Sequence, residues 1–212
     1  IKDCLGPKRQ GVLEGIEENF EYSLFGDCGG QSCSLSIHAK PNDPLYQYQW
    51  HFDQVNAEEA WQVSTGRDVV VAVIDTGVAV QDQPSRGIKR ARDLAGTPIV
   101  PGYDFVDKSN FVFDGHGHGT HVAGTIAQTT NNRYGVAGLA YNAKIMGLRV
   151  LNSRGFGQVA DIANAIRFAA DNGAQVINMS LGGPLPSLVM KRAIEHAHSK
   201  GVTIIAAAGN AG

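Results

Sequence analysis

Beyond residue 33 the 212-residue sequence contains no cysteine; Cys4, Cys28 and Cys33 are its only three. An odd count weakens any disulfide framework. A Cys28–Cys33 loop with Cys4 pairing upstream of Ile1 would suit an exported protein, and free thiols in a poorly packed leader suit the same count equally well. The Cys28-x4-Cys33 spacing and its surroundings do not make a zinc site. An excess of one charge is also missing: 18 basic residues face 20 acidic ones, a net charge of -2, which argues against a dedicated nucleic-acid binder. No apolar run approaches the ~18 residues of a membrane span. Internal repeats and low-complexity tracts are absent. What remains is 43% hydrophobic and 18% charged, a globular composition, with 26 glycines for tight turns and close backbone approaches. The length fits one domain, or most of a larger one.

The ends carry no boundary signals. Ile1 is not a start methionine, and Ala206 to Gly212 stops just after a strand-like run. The sequence therefore reads as an internal fragment whose fold is incomplete at its C-terminus.

Composition shifts near residue 40. Before it, Gly11 to Phe25 reads as a short strand or helix piece, followed by a Gly/Ser/Cys loop. After it come the turn signal Pro41-Asn42-Asp43-Pro44 and a helix start at Asn56, a cap residue with Glu59 three positions on. From residue 69 strands and helices alternate. Val69 to Ile74, Ile145 to Leu151, Val176 to Leu181 and Val202 to Ala208 are apolar runs of the kind buried on both faces of a parallel sheet. Between the last three lie two helical patterns. One carries Val159, Ile162, Ala163, Ile166, Ala169 and Ala170 on one face and stops at Asn172-Gly173; the other starts at Ser187 and stops at Gly201. The expected fold is α/β, a parallel sheet with helices on both faces in three α/β/α layers.

In such sheets functional groups gather at the carboxyl ends of the strands. Here those ends carry Asp75-Thr76-Gly77, Asn178-Met179-Ser180-Leu181-Gly182-Gly183 and Gly209-Asn210, while Gly115 to Gly124 forms a glycine-dense turn entering a helix. Each alone has a plain structural explanation as a cap, a turn or a polar loop. The histidines His116, His118 and His121 lack the carboxylate of a His-Glu-x-x-His zinc site. Asp75-Thr76-Gly77 alone matches the aspartic-protease triplet, but that chemistry needs an all-β setting and a second aspartate.

Taken together and in order, Asp75-Thr76-Gly77, His118-Gly119-Thr120-His121-Val122-Ala123-Gly124-Thr125, Ser180-Leu181-Gly182-Gly183 and Ala207-Ala208-Gly209-Asn210 resemble the subtilisin-like serine proteases (subtilases). The spacings of 43 residues from Asp75 to His118 and 92 from His118 to Asn210 agree with that family. The resemblance covers residues 41–212, and Asn42-Asp43-Pro44 and Gly209 to Gly212 look most like its thermitase-type branch. It implies a serine endopeptidase with His118 as general base, Asp75 orienting the imidazole and Asn210 donating to the oxyanion. Gly155-Phe156-Gly157 and Ser180-Leu181-Gly182 look like the segments that sandwich an extended polypeptide substrate, with Ala208 and Gly209 helping to wall an uncharged specificity pocket. Phe156 and Val159 sit where the family shapes more distant subsites. One structural calcium is implied, held by Asp43, Asp93, Asn132, Tyr134 and Val136. A second site at Asp104 and Asp107 is weaker, because Ser109 replaces a carboxylate. The basic stretch Arg86, Lys89, Arg90 and Arg92 reads as a solvated loop.

The family's nucleophile, in a Gly-Thr-Ser-Met-Ala block, does not occur in these residues. Ser180 lies in Met-Ser-Leu-Gly-Gly rather than in a nucleophile elbow, and its family role is substrate binding. The isolated chain is therefore expected not to hydrolyse peptides, and to expose apolar sheet edges. Residues 1–40 look like the tail of an inhibitory propeptide with an inserted cysteine loop, which implies secretion as a zymogen. The competing reading is a degenerate subtilase domain that acts as a protein-binding module. DNA downstream of the Gly212 codon discriminates the two.

Overall fold

The structure, a computed structural model, describes residues 40–183 and 185–210. The leader and its three cysteines lie outside the described residues.

Five parallel strands form one sheet in the order β2-β3-β1-β4-β5. They are β1 (Val70–Asp75), β2 (Ile99–Asp104), β3 (Lys144–Arg149), β4 (Val176–Met179) and β5 (Thr203–Ala206). The central β1 is in register with β3 from Val70↔Lys144 to Asp75↔Arg149, and with β4 from Val71↔Val176 to Val73↔Asn178. Successive side chains of a strand point to opposite faces, so a strand covered on both must be apolar throughout. Val71 and Val73 of β1 pack with Ile145 beneath α3 (His118–Ala127). Ala72 and Ile74 pack with Met146, Leu148 and Ile177 beneath α4 (Val159–Asp171) and α5 (Leu188–Ser199). Helices thus cover both faces, as the alternation of apolar runs implies.

Helix boundaries follow local chemistry. α4 buries Ile162, Ala163, Ala165, Ile166, Ala169 and Ala170 and ends before Gly173, whose φ is +85°. Ser187 caps α5, its Oγ accepting from the Met190 amide at 3.3 Å. α2 (Ala57–Val63) starts directly after Asn56, where the sequence suggests, but Asn56 sits in the left-handed region (φ 49°) and makes no side-chain cap bond. The preceding α1 (Trp50–Gln54) and α2 bring Phe52 and Trp61 against Tyr46, Ala137 and Tyr141, with Trp61 Nε1 donating to the Leu139 carbonyl at 2.6 Å.

The sequence pattern misses β2. Pro101 and Gly102 interrupt it, and it lies at the sheet edge, where a missing N–H is tolerated. The strands also stop earlier than the apolar runs suggest, at Arg149, Met179 and Ala206. Val150 and Leu151 still donate to the Asp75 carbonyl at 2.9 and 3.1 Å. Beyond them Asn152 to Gly157, and likewise Ser180 to Gly182 and Ala207 to Asn210, form tails past the strand ends. Pairing between β1 and β4 ends at Val73↔Asn178, two residues short of Asp75, so the sheet opens there. That opening is also where the connections switch faces, with α3 on one side and α4 and α5 on the other.

Candidate active site

Asp75 is the last residue of β1 and is fully buried, at 0% exposure. Its Oδ1 accepts from the Thr76 amide at 2.7 Å and lies 2.7 Å from His118 Nδ1. A carboxylate can only accept, so Nδ1 must carry the proton, and the lone pair of the ring is left on Nε2. The His118 side chain is 44% exposed, which leaves one edge of the ring open to an incoming group. Asp75 Oδ2 is buried without a hydrogen-bond partner. The charge on this carboxylate is thus poorly solvated and is directed at the imidazole, where it stabilises a cation formed there.

The close approach of the two segments depends on two glycines. Gly77 has φ +109°, and a Cβ there would collide with the Phe113 carbonyl. Gly119 follows His118 on α3, and a Cβ there would collide with the Gly77 carbonyl and stand 3.0 Å from Asp75 Cβ.

Sequence reasoning did not single out Asp114. Its Oδ1 accepts from Thr76 Oγ1 at 2.9 Å and from the His116 and Gly117 amides at 3.0 and 2.8 Å; its Oδ2 accepts from the Thr120 amide at 3.0 Å and from Thr120 Oγ1. Partial burial works against the charge, but the Thr120 hydroxyl and these main-chain amides outweigh it and hold the carboxyl below the ordinary carboxylate range. The only sequence signal was its place four residues before His118.

The remaining predicted residues lie on the tails past the strand ends. Gly155, Phe156 and Gly157 form a turn after β3 in which Asn152 N donates to the Phe156 carbonyl at 2.8 Å, and Gly157 bridges back to Leu151. Phe156 is 72% exposed. Ser180, Leu181 and Gly182 follow β4, with Ser180 Oγ accepting from Asn178 Nδ2 at 3.0 Å. Ala208, Gly209 and Asn210 follow β5, whose tail stays alongside β4 through a 3.1 Å bond from Ala207 N to the Met179 carbonyl. Asn210 is therefore two strand positions from Asp75, on the β4 side of the sheet.

The sequence matches the Subtilase family over residues 66–212. The chain belongs to the subtilase family. It is 42% identical to thermitase of Thermoactinomyces vulgaris, over 81% of this chain and 58% of that protein. It is 39% identical to an extracellular protease of Xanthomonas campestris pv. campestris, over 98% of this chain and 42% of that protein. Among solved structures, a protease from Pseudoalteromonas arctica PAMC 21717 superimposes with a TM-score of 0.70 at 36% identity, covering 81% of this chain and 60% of that one. The subtilase chain thus spans little more than half the length of thermitase and less than half of the Xanthomonas protein.

The residues suggested for calcium also come together in this subtilase fold. Asp43 is buried and accepts from the Asn131 and Asn132 amides at 2.8 and 3.1 Å. Asp93 is buried and accepts from Asn132 Nδ2, from the Val136 amide at 3.3 Å and from Gln128 Nε2. Gln128 was not foreseen. Tyr134 contributes its amide, which donates to Asn132 Oδ1 at 2.8 Å, while Leu45 N donates to the Gly135 carbonyl at 2.9 Å. Among the described residues no three carboxylates, histidines or cysteines converge. Asp43, Asp93 and Asn132 supply the hard oxygens that calcium takes, but here those oxygens accept from N–H groups. Asn132 turns Nδ2 rather than Oδ1 to Asp93, and Tyr134 and Val136 present their amides rather than the expected carbonyls.

Two neighbouring groups have partners that the sequence reading did not name. Asp104 and Asp107 are bridged by Arg149, whose Nη1 lies 2.8 and 2.7 Å from their carboxylates. Burial disfavours that cation, but the two carboxylates outweigh it and raise its affinity for the proton. In the basic stretch, Arg92 is not simply solvated: its guanidinium lies 4.0 Å over the Tyr134 ring. Among the described residues, no helix is long and apolar enough to cross a membrane.

Proposed function

We propose that the protein is a subtilisin-like serine endopeptidase in which Asp75 and His118 are two members of an Asp-His-Ser triad whose serine lies outside these 212 residues. The observation that carries this reading is the 2.7 Å bond between His118 Nδ1 and Asp75 Oδ1 at the carboxyl edge of a parallel sheet. With Nδ1 protonated, Nε2 is the base. It takes the proton of the serine hydroxyl as the oxygen attacks the substrate carbonyl carbon, and returns it to the amine when the C–N bond breaks. Water then repeats the sequence on the acyl-enzyme. Asn210 donates its side-chain amide to the tetrahedral oxyanion; losing one such donor costs about 2.7–4 kcal/mol, a figure measured on a subtilisin itself.

The polypeptide substrate lies between the tails of β3 and β4. These strands flank β1, so their tails are about two strand spacings, roughly 9–10 Å, apart. An extended peptide entering beyond the end of β1 fills that gap and pairs with Gly155-Phe156-Gly157 on one side and Ser180-Leu181-Gly182 on the other. Ser180 to Gly182, with Ala208 and Gly209, wall the pocket for the side chain before the scissile bond, and the absence of a charge there favours apolar or broad specificity.

Asp43, Asp93, Asn132 and main-chain oxygens of the Tyr134 to Val136 segment would hold one calcium ion, with Gln128 adjoining. When bound, it supplies charge that ties these segments together and plays no part in the proton transfers. Residues 41–212 are the larger, N-terminal part of the catalytic domain, and residues 1–40 the tail of an inhibitory propeptide of a secreted zymogen. The extracellular protease of Xanthomonas, which matches along nearly all of this chain, favours export.

A fluorophosphonate probe and a peptide substrate test the proposal. The full-length protein is labelled and hydrolyses the peptide, His118→Ala abolishes both, and the 212-residue chain alone does neither. Labelling of that chain at Ser180, or no labelling of the full-length protein, overturns it.

A further inference from the structure

The bond between Asp75 and His118 has a second bond beside it. Thr76 follows Asp75, Gly119 follows His118, and the Gly119 amide donates to Thr76 Oγ1 at 3.0 Å. The same hydroxyl donates to Asp114 at 2.9 Å. A mirror arrangement runs the other way. Thr120 Oγ1 accepts from the Ala79 amide at 2.9 Å and donates to the other Asp114 oxygen. Each threonine hydroxyl thus takes a main-chain N–H from the opposite segment and hands its own proton to one carboxylate. That carboxylate also accepts from the His116, Gly117 and Thr120 amides. The residue at the N-cap position of α3 is Gly117, which has no side chain to cap with. Asp114 accepts from one free first-turn amide in its place, that of Thr120, and from the His116 and Gly117 amides just before the helix, and it sets a negative charge where the helix dipole favours one.

We propose that Asp114 is a positioning residue: through Thr76 and Thr120 it locks the first turn of α3 to the exit of β1 and so holds His118 in register with Asp75. Five donors converge on one charged group, and charge-assisted bonds are the stronger kind. Without it, the first turn of α3 keeps, besides the His118–Asp75 bond itself, the Thr76–Gly119 and Thr120–Ala79 contacts, whose hydroxyls are then free to rotate. The imidazole, with one edge exposed to water, has no other side-chain hydrogen bond than the one to Asp75 among the described residues.

This inference rests on the endopeptidase reading, and its test separates the two. In the full-length protein, Asp114→Asn keeps the shape but cannot accept at both ends; Thr76→Val removes the shared hydroxyl, and Thr76→Ser restores it. Asp114→Asn and Thr76→Val are expected to lower kcat by about tenfold to a hundredfold, the scale of a small misplacement of a reacting group, with KM unchanged within about twofold. Thr76→Ser returns kcat to near wild type. In proton NMR the strongly deshielded Nδ1–H signal of His118 is lost or broadened in Asp114→Asn and Thr76→Val and kept in Thr76→Ser. Wild-type kcat in both disrupted variants, or an intact signal in a folded Asp114→Asn protein, overturns the proposal. Should Asp114→Asn not fold, the Thr76→Val and Thr76→Ser pair decides by the same readouts. A wild-type protein without peptidase activity refutes the endopeptidase reading alone, and the His118 signal still decides the role of Asp114.

Discussion

Gly119 is packed against Asp75 so closely that a Cβ on it would stand 3.0 Å from the Asp75 Cβ and collide with the Gly77 carbonyl. The obstacle is backbone and a buried side chain, neither of which can swing away. Gly119→Ala must therefore push α3 off β1, and overpacking of this kind costs about 1–3 kcal/mol. It also lengthens the bond between His118 and Asp75. The expected outcome is a lower thermal midpoint together with a loss of kcat, read by calorimetry and peptide hydrolysis. A variant with wild-type activity would show that the approach of the two segments is not what holds the pair.

Arg149 is the buried centre of a second charged group, lying 2.8 Å from the fully buried Asp104 and 2.7 Å from Asp107. The buried pair need not exceed well-packed apolar residues in stability, but breaking it leaves a carboxylate without its cation. Arg149→Met is expected to cost about 3–5 kcal/mol, and Asp104→Asn added to it to recover part of the loss. Denaturant midpoints of the wild type and the two variants check this. Equal midpoints for single and double variants would mean that Asp104 is satisfied by the Val106 and Asp107 amides alone, which donate to its Oδ1 at 2.9 Å each.

Acid should weaken the hold of Asp114. Burial opposes its charge, yet the Thr120 hydroxyl and the main-chain amides lower its folded value below the ordinary one of about 3.9. A depressed carboxyl contributes stability that is fully present above the unfolded value and disappears as pH falls through the folded one. Thermal midpoints of wild type and Asp114→Asn are therefore expected to differ most above about pH 4 and to converge as pH falls further. A gap that stays constant from neutral pH into that range contradicts the lowered value.

The sequence showed those parts of the molecule whose cause is local. β1 was visible because burial on both faces demands an unbroken apolar run, and α4 because one of its faces repeats at helical spacing. β2 was hidden because an edge strand can carry Pro101 and Gly102. Asp75 and His118 were legible through the residues around them. Asp114 was not, because its importance comes from donors on Thr76 and Thr120 that meet only when β1 and α3 pack. Arg149 sat unnoticed inside an apparently apolar run, since its partners lie more than forty residues away on the edge strand and its turn. At Asn56 the helix start was legible but not the local geometry: the backbone turns left-handed there and the side chain makes no cap bond.

Calcium should be visible as stability before it is visible in activity. Asp43 and Asp93 are buried on separate segments and both accept from Asn132, so the loop from Asn131 to Val136 joins parts of the chain remote in sequence. That loop holds Asn131 and Arg133 at φ 61°, a left-handed conformation that non-glycine residues adopt at a cost of about 1–3 kcal/mol each and keep only when their surroundings enforce it. An ion that binds only the folded state adds RT ln(1 + [L]/Kd), about 2.7 kcal/mol at a hundredfold excess over Kd. Adding calcium to chelator-treated protein should raise its thermal midpoint, and Asp93→Asn should remove most of that rise, whereas Asp107→Asn, at the Arg149 bridge, should leave it intact. A rise that survives Asp93→Asn, or that Asp107→Asn removes, would move the ion from the Asn132 loop to another set of oxygens.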